Sequence, residues 1–282
     1  MSGNEMANGF SRFREMSADT PGWGQVPGVS SNNKKREYDM NHTLKLCAAA
    51  LMLAPWAGSQ AVELNEDFSL ALNGGLYSQY WSRGTSQSQG DPAIQGSVTL
   101  SHSSGLYAGV WSSSVDFGHG SKTRQEIDYY VGYFWQASDD ISLDLTYYEY
   151  EYPKESGLNY SEYFAKLSAY GFNVGGYYAN DLGGDQSMLY SFVGYQTTLP
   201  SEVGLEARYG RVDFKDPLFV DAGGNTRDNY YEWEVKLSKQ FLALDWSLSY
   251  VDSDLSDTEC LNYSGFDDVC SPSLVAGVSK TF

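Results

Sequence analysis

Charged side chains recur on one face of strand-like runs whose other face is almost purely apolar, and few folds accept that pattern. The run 229–240 is the clearest: Tyr231, Trp233, Val235 and Leu237 share one face, with Glu232, Glu234, Lys236 and Ser238 opposite. In 244–251, Leu244, Trp246, Leu248 and Tyr250 oppose Asp245, Ser247 and Ser249. The run 203–214 sets Val203, Leu205, Ala207 and Tyr209 against Gly204, Glu206, Arg208 and Gly210. The run 124–136 sets Ile127, Tyr129, Val131, Tyr133 and Trp135 against Asp128, Tyr130 and Gly132, and near the start Phe68, Leu70, Leu72 and Leu76 oppose Ser69, Ala71 and Asn73. A period of two is the signature of β-strands. A dry core does not accept rows of charges, so the polar face must meet water while the other face meets something oily. A closed barrel with hydrocarbon outside and a wet interior satisfies both demands. A soluble β-sandwich is the rival.

Composition points the same way. Mean hydropathy is −0.42, which leaves no room for a long apolar helix, yet the chain is 15% aromatic with 23 Tyr and carries 29 Gly. The formal net charge of −18 argues against nucleic acid and against adsorption to anionic lipid. Connections alternate in length. Short ones fall at Ser103–Gly105, Ala137–Asp140, Tyr170–Gly171, Pro200–Glu202 and around Ala243. Longer polar ones lie near 84–91, 118–123, 154–159, 182–187, 215–228 and 252–271. Short turns on one side and long loops on the other fit a barrel whose short side faces the periplasm. The fold class is therefore all-β: a transmembrane, antiparallel, up-and-down β-barrel of about twelve strands, with ten or fourteen as alternatives. Ile141, Leu143, Leu145 and Tyr147 share a face that Glu149 and Glu151 continue. The strand is expected to have left the hydrocarbon there rather than to carry a bulge, with Tyr147, Tyr148, Tyr150 and Tyr152 as an interfacial girdle.

The final stretch, 272–282, places Leu274, Ala276, Val278 and Phe282 on one face, with Lys280 where another apolar residue would be usual. A terminal aromatic on a strand of this kind is the barrel-assembly signal expected of a bacterial outer-membrane protein, with the barrel-assembly machinery as partner. Met40–Lys45 is a short positive start, Leu46–Leu53 is apolar, and Ser59-Gln60-Ala61 is a small-x-small cleavage site. Residues 40–61 thus read as a cleaved secretory signal peptide, with the barrel in 62–282. Residues 1–39 have no apolar periodicity; they are expected to be a disordered extension upstream of a true start at Met40, with a longer signal region as the alternative. Removing five basic and five acidic residues before Met40, and Lys45, leaves 12 basic and 31 acidic, about −19. Cys260 and Cys270 remain after Cys47 leaves, and in an oxidising compartment they read as a disulfide closing one loop. Chain entropy puts its worth at roughly 2.5–3 kcal/mol.

Several blocks carry a resemblance: Tyr80-Trp81-Ser82-Arg83-Gly84, Pro92-Ala93-Ile94-Gln95-Gly96, 104–111 (SGLYAGVW), 126–133 (EIDYYVGY) and Lys280-Thr281-Phe282. In order, they resemble the TorF family of proteobacterial porin-like outer-membrane barrels, across 62–282 and most densely between 74 and 135. The resemblance implies an outer-membrane barrel with a pore; it brings no catalytic residues and leaves the substrate open.

The polar faces nominate Asp128, Tyr130, Asp144, Glu206, Arg208, Glu232, Glu234, Lys236 and Asp245 as lumen-lining. Their field would favour cations and neutral solutes over anions. The competing reading is a salt-bridge ladder, Glu206 and Arg208 beside Glu232, Glu234 and Lys236, that fills a narrow interior. Tyr130, Tyr148 and Phe134 suggest an aromatic track for sugar rings or, more commonly in such barrels, packing; Gly132, Gly194 and Gly210 suggest strand curvature. Asp252, Asp254, Asp257, Glu259, Asp267 and Asp268 crowd the cysteine loop without EF-hand spacing, so a solvated acidic loop is expected rather than a metal site. His102 and His119 are not placed for a triad or for zinc, and no P-loop or dinucleotide fingerprint occurs. No enzyme activity and no cofactor are expected. The reading that follows is a porin-like channel for passive diffusion of small hydrophilic solutes, with outer-membrane lipid and lipopolysaccharide as its surroundings. The alternative is a closed structural or adhesion barrel that presents its extracellular loops without conductance.

Overall fold

The computed structural model describes residues 61–183 and 185–282. The expectations for residues 1–39 and for 40–60 of the leader lie outside the described residues. Twelve strands form the barrel: β1 (Phe68–Tyr77), β2 (Ala93–His102), β3 (Leu106–Ser114), β4 (Gln125–Ser138), β5 (Ile141–Glu151), β6 (Tyr160–Ala169), β7 (Phe172–Ala179), β8 (Met188–Leu199), β9 (Val203–Phe214), β10 (Asn229–Phe241), β11 (Leu244–Ser253) and β12 (Ser273–Thr281). Each pairs antiparallel with its neighbour in sequence, and β12 returns to pair with β1 through Gly277↔Tyr77 to Thr281↔Asn73. Closure leaves no barrel edge unpaired, which is the condition for a sheet to sit in hydrocarbon. A two-residue strand, Val62–Glu63, adds to the short-turn end of β1. No helix among the described residues is long and apolar enough to cross a membrane.

Polarity is inverted relative to a water-soluble protein. Val98, Val110, Val131, Leu145, Leu167, Val174, Val193, Val235 and Leu248 are all exposed on the outer surface. Two aromatic belts bound this band. Trp135, Phe172, Tyr195, Phe241 and Trp246 lie at the short-turn end, and Tyr163, Tyr178, Tyr209 and Tyr250 near the loops. Such belts mark the two interfaces of a bilayer. The strand β5 keeps unbroken register past Glu149 (↔Tyr129) and Glu151 (↔Ile127). The single slip in this pair falls at the other end, between Gln136 and Ser138, so no bulge turns the two glutamates inward. The girdle expected of four tyrosines is corrected, however. Only Tyr147 faces out; Tyr148 faces in, and Tyr150 and Tyr152 are buried inside, because they alternate with Tyr147.

The short connections are hairpins of two or three residues at Ser103–Gly105, Asp139–Asp140, Tyr170–Gly171, Pro200–Glu202 and Leu242–Ala243. At the opposite end lie the six long connections. The last contains helix α1 (Asp257–Ser264), which Ser256 caps: its side chain accepts the Glu259 N–H while Glu259 Oε2 accepts from the Ser256 N–H. Cys260 and Cys270 are joined in a disulfide. With Met188, Tyr190, Val212, Phe214, Phe219, Tyr230, Leu255 and Val269 the bridge forms one buried apolar cluster beneath the loops.

Candidate functional site

The first long connection does not stay outside. Trp81–Ser82 and Thr85–Ser86 pair as a minute hairpin whose two-residue tip is Arg83–Gly84. Both tip residues have positive φ, 46° and 83°, as a tight turn of this kind requires. Glycine meets that demand at no cost, and a Cβ on Gly84 would in addition stand about 3 Å from Ser253, Tyr230 and Glu232 on β10 and β11. The hairpin tip therefore lies inside the barrel, against its wall.

The tip carries a cation into a buried ring of acceptors and aromatics. Arg83 donates from Nη1 and Nη2 to the two oxygens of Glu162 on β6, both at 2.6 Å. Glu162 is fully buried and also accepts from the Tyr150 hydroxyl at 2.8 Å. The guanidinium carbon sits 4.6 Å from the Tyr177 ring centroid and 5.3 Å from that of Tyr190. The Tyr230 hydroxyl donates to the Arg83 carbonyl at 2.6 Å. Beside it, Glu126 accepts from Tyr80 at 2.9 Å and Tyr152 at 3.0 Å. The loop is further tied to its neighbours: the Ser86 N–H donates to the Val269 carbonyl of the last loop, and the Asp116 N–H of the second loop to the Gln87 carbonyl. Losing one member of a buried ion pair typically costs about 3–5 kcal/mol, so Arg83 and Glu162 each depend on the other.

Below the tip lies polar space. A cavity of about 490 Å³ runs from Trp81 and Tyr80 down to Glu202 at a short turn, lined by Gln95, Glu234, Lys236 and Asp245 and by several serines of β10 to β12. A second, of about 170 Å³, is lined by Phe164, Lys166, Gln196, Glu206 and Arg208. Between them β9 and β10 place Glu206 opposite Lys236 and Arg208 opposite Glu234. Arg208 bridges Glu232 at 3.2 Å and Glu234 at 3.0 Å, and Lys236 reaches Glu206 at 3.6 Å. The Tyr190 hydroxyl bonds Glu232 as well. Gly210 makes room for this, because a Cβ there would collide with Glu232 Oε1 and the Tyr190 ring.

The remaining nominated residues are distributed along the same inward faces. Asp144 accepts from Tyr107 at 2.6 Å across the intervening strand, and it stands opposite Lys166. Asp128 is buried beside Glu126, and among the described residues its Oδ1 has no hydrogen-bond partner; nor has Glu232 Oε2. Tyr130 shares a hydrogen bond with Thr99 and packs on Tyr107 and Tyr148. Asp245 accepts from Gln240 at 3.3 Å. Phe282 exchanges backbone hydrogen bonds with Leu72, and Lys280 is buried with Nζ 4.9 Å from the Phe282 ring centre. His102 packs on Phe68, and His119 stacks on Phe266 and contacts the Gly265 carbonyl. No group of three or more His, Cys, Asp or Glu among the described residues could hold a metal ion. Arg83, Glu126 and Glu162 were not nominated from sequence. Glu126 was legible, since it shares the parity of Asp128. Arg83 sits in a loop motif with no periodicity to show that it points inward.

A family model described as "Bacterial protein of unknown function (Gcw_chp)" matches residues 61–282. No curated protein matches the chain. Among solved structures the chain is similar to the KdgM porin, at 9% identity and TM-score 0.45, covering 75% of this chain and 99% of that one. It is similar also to the NanC porin, at 14% identity and TM-score 0.43, covering 76% and 98%. A third similar structure is the COG4313 outer membrane channel from Pseudomonas putida F1, at 12% identity and TM-score 0.39, covering 78% and 97%.

Proposed function

The chain belongs to the Gcw_chp family of bacterial proteins, and we propose that it is an outer-membrane channel for passive diffusion of small hydrophilic solutes. One observation carries the reading: a closed barrel, apolar outside between aromatic belts, encloses a polar cavity of about 490 Å³ that extends to the short-turn end. A barrel that only presented loops would gain most by filling that space with apolar side chains. Residues of β1, β2, β11 and β12 instead line the interior with small polar groups such as Asn73, Ser97, Ser247 and Ser279. The TorF resemblance of the loop and strand blocks supports the same reading. Export follows from it: the leader 40–61 would be removed, with Val62 as the mature start and residues 1–39 upstream of the true start. Intact-mass measurement of the exported protein checks the mature start, and N-terminal sequencing of the precursor checks the start at Met40.

Glu126, Asp128, Glu162, Glu232 and Glu234 outnumber Arg83 and Arg208 around the tip, which supports selectivity for cations and neutral solutes. Replacing Glu232 and Glu234 together by glutamine is expected to move the reversal potential in a KCl gradient toward zero; an unmoved potential would refute the cation preference. The inserted loop favours a second reading, a closed structural barrel, because its tip and the apolar cluster occupy the interior near the loops. Liposome swelling with sugars and amino acids of graded size separates the two. Swelling by wild type, or by Arg83→Ala alone if the loop stays shut, supports a channel; swelling by neither supports the closed barrel.

A further inference from the structure

The side chains that hold Arg83 belong to the wall, not to the loop. Four consecutive strands contribute them: Tyr150 on β5, Glu162 on β6, Tyr177 on β7 and Tyr190 on β8. Glu162 offers both oxygens to one planar cation, Tyr150 orients that carboxylate, and two aromatic rings lie against the guanidinium. This combination selects a guanidinium over an ammonium, because only the planar fork can bond a carboxylate twice and also stack on rings. The loop contributes one side chain and one carbonyl, on a tip whose Arg83 holds a φ of 46° that a non-glycine residue adopts only at some expense.

Hydrogen bonding around the cradle is also incomplete among the described residues. Asp128 and Glu232 are more than nine-tenths buried, and each has one carboxylate oxygen that meets no donor. With Arg83 withdrawn, Glu162 would join them, leaving more acceptors than Arg208 and the tyrosine hydroxyls can serve.

We propose that this cradle is a guanidinium-recognition site in the conduction path, occupied at rest by Arg83 as a tethered stand-in and taken by a guanidinium-bearing solute when the loop withdraws. The proposal rests on the channel reading for the solute's route, but the cradle can be tested without any flux. Titration calorimetry on the folded protein in detergent micelles, with agmatine as the probe, is the experiment. Arg83→Ala should bind agmatine saturably. Wild type should bind it at least tenfold more weakly, because its own arginine competes, and so should Arg83→Ala combined with Glu162→Gln. Putrescine, which has two ammonium groups and no guanidinium, should bind Arg83→Ala at least tenfold more weakly than agmatine. Absence of saturable binding to Arg83→Ala overturns the proposal. Equal binding by the single and double variants, or putrescine as tight as agmatine, overturns it too. Should Arg83→Ala lack the heat-modifiable folded band on a gel, Arg83→Gln, neutral and too short to reach both Glu162 oxygens, replaces it with the same outcomes. Agmatine binding without liposome swelling would leave the cradle standing and remove only the channel.

Discussion

At the scale of single residues, the acidic last loop is more tightly organised than its composition suggests. Arg227, from the preceding loop, donates to both oxygens of Glu259 at 2.6 and 3.0 Å and to Asp254 at 3.1 Å. Two of the six carboxylates read as solvated are thus held by one cation, and Glu259 also closes the α1 cap. Partial burial alone would raise the Glu259 carboxyl, but the Arg227 guanidinium and the Ser256 N–H and hydroxyl outweigh it and hold the group below the ordinary glutamate range. A carboxyl lowered on folding contributes stability that is present above its unfolded value, near 4.3, and lost as pH falls through the lower folded value. Protection factors for amide exchange in 254–272 are therefore expected to be insensitive to this group from pH 6 to 8 and to fall below about pH 4. Arg227→Met should flatten that dependence; an unchanged acid limb would show that Glu259 is not the group responsible. The six carboxylates are visible in the sequence, but the partner of Asp254 and Glu259 lies 27 and 32 residues away in another loop, and no local spacing announces it.

At the scale of elements, period-two alternation reads strands well because each barrel strand has one lipid face and one inner face. The run 203–214 coincides with β9, and 229–240 falls one residue short of β10. Turn chemistry is less legible. The hairpin between β10 and β11 turns on Leu242 and Ala243, with φ of 54° and 55°, although neither residue favours the left-handed region. The two-residue hairpin imposes that conformation, since the strands on either side are paired in register through Phe241↔Leu244. Replacing the pair by Asn-Gly removes the steric penalty, so Leu242→Asn with Ala243→Gly should stabilise the barrel by about 1 kcal/mol. Urea midpoints for the folded protein in lipid vesicles check this, and a lowered midpoint would mean that Leu242 contributes more as an interfacial anchor than its backbone costs. The minute Trp81–Ser86 hairpin escaped a strand reading altogether. Four paired residues are too few to display a period, and only the Arg-Gly tip hints at a tight turn.

At the scale of the whole molecule, the outer band makes a testable claim about the medium around it. Val131 lies midway along β4, exposed between Tyr129 and Tyr133. Val131→Lys should cost about 2–4 kcal/mol in vesicle unfolding, as expected for a cation near the middle of hydrocarbon, whereas Ser238→Lys, facing the cavity, should cost far less. Equal penalties would argue against a lipid-facing exterior. Sequence alone determined the barrel, its approximate strand number, which ends carry turns and loops, and the disulfide pair, because all of these are written in local periodicity, turn spacing and residue parity. Only the tertiary structure decided what occupies the interior. The meeting of Arg83 with Glu162, 79 residues apart, and of both with the tyrosines of β5, β7 and β8, exists only once the sheet has curled shut. Closure brings the loop between β1 and β2 within reach of the wall formed by β5 to β8, and that proximity has no signature in the order of residues along the chain.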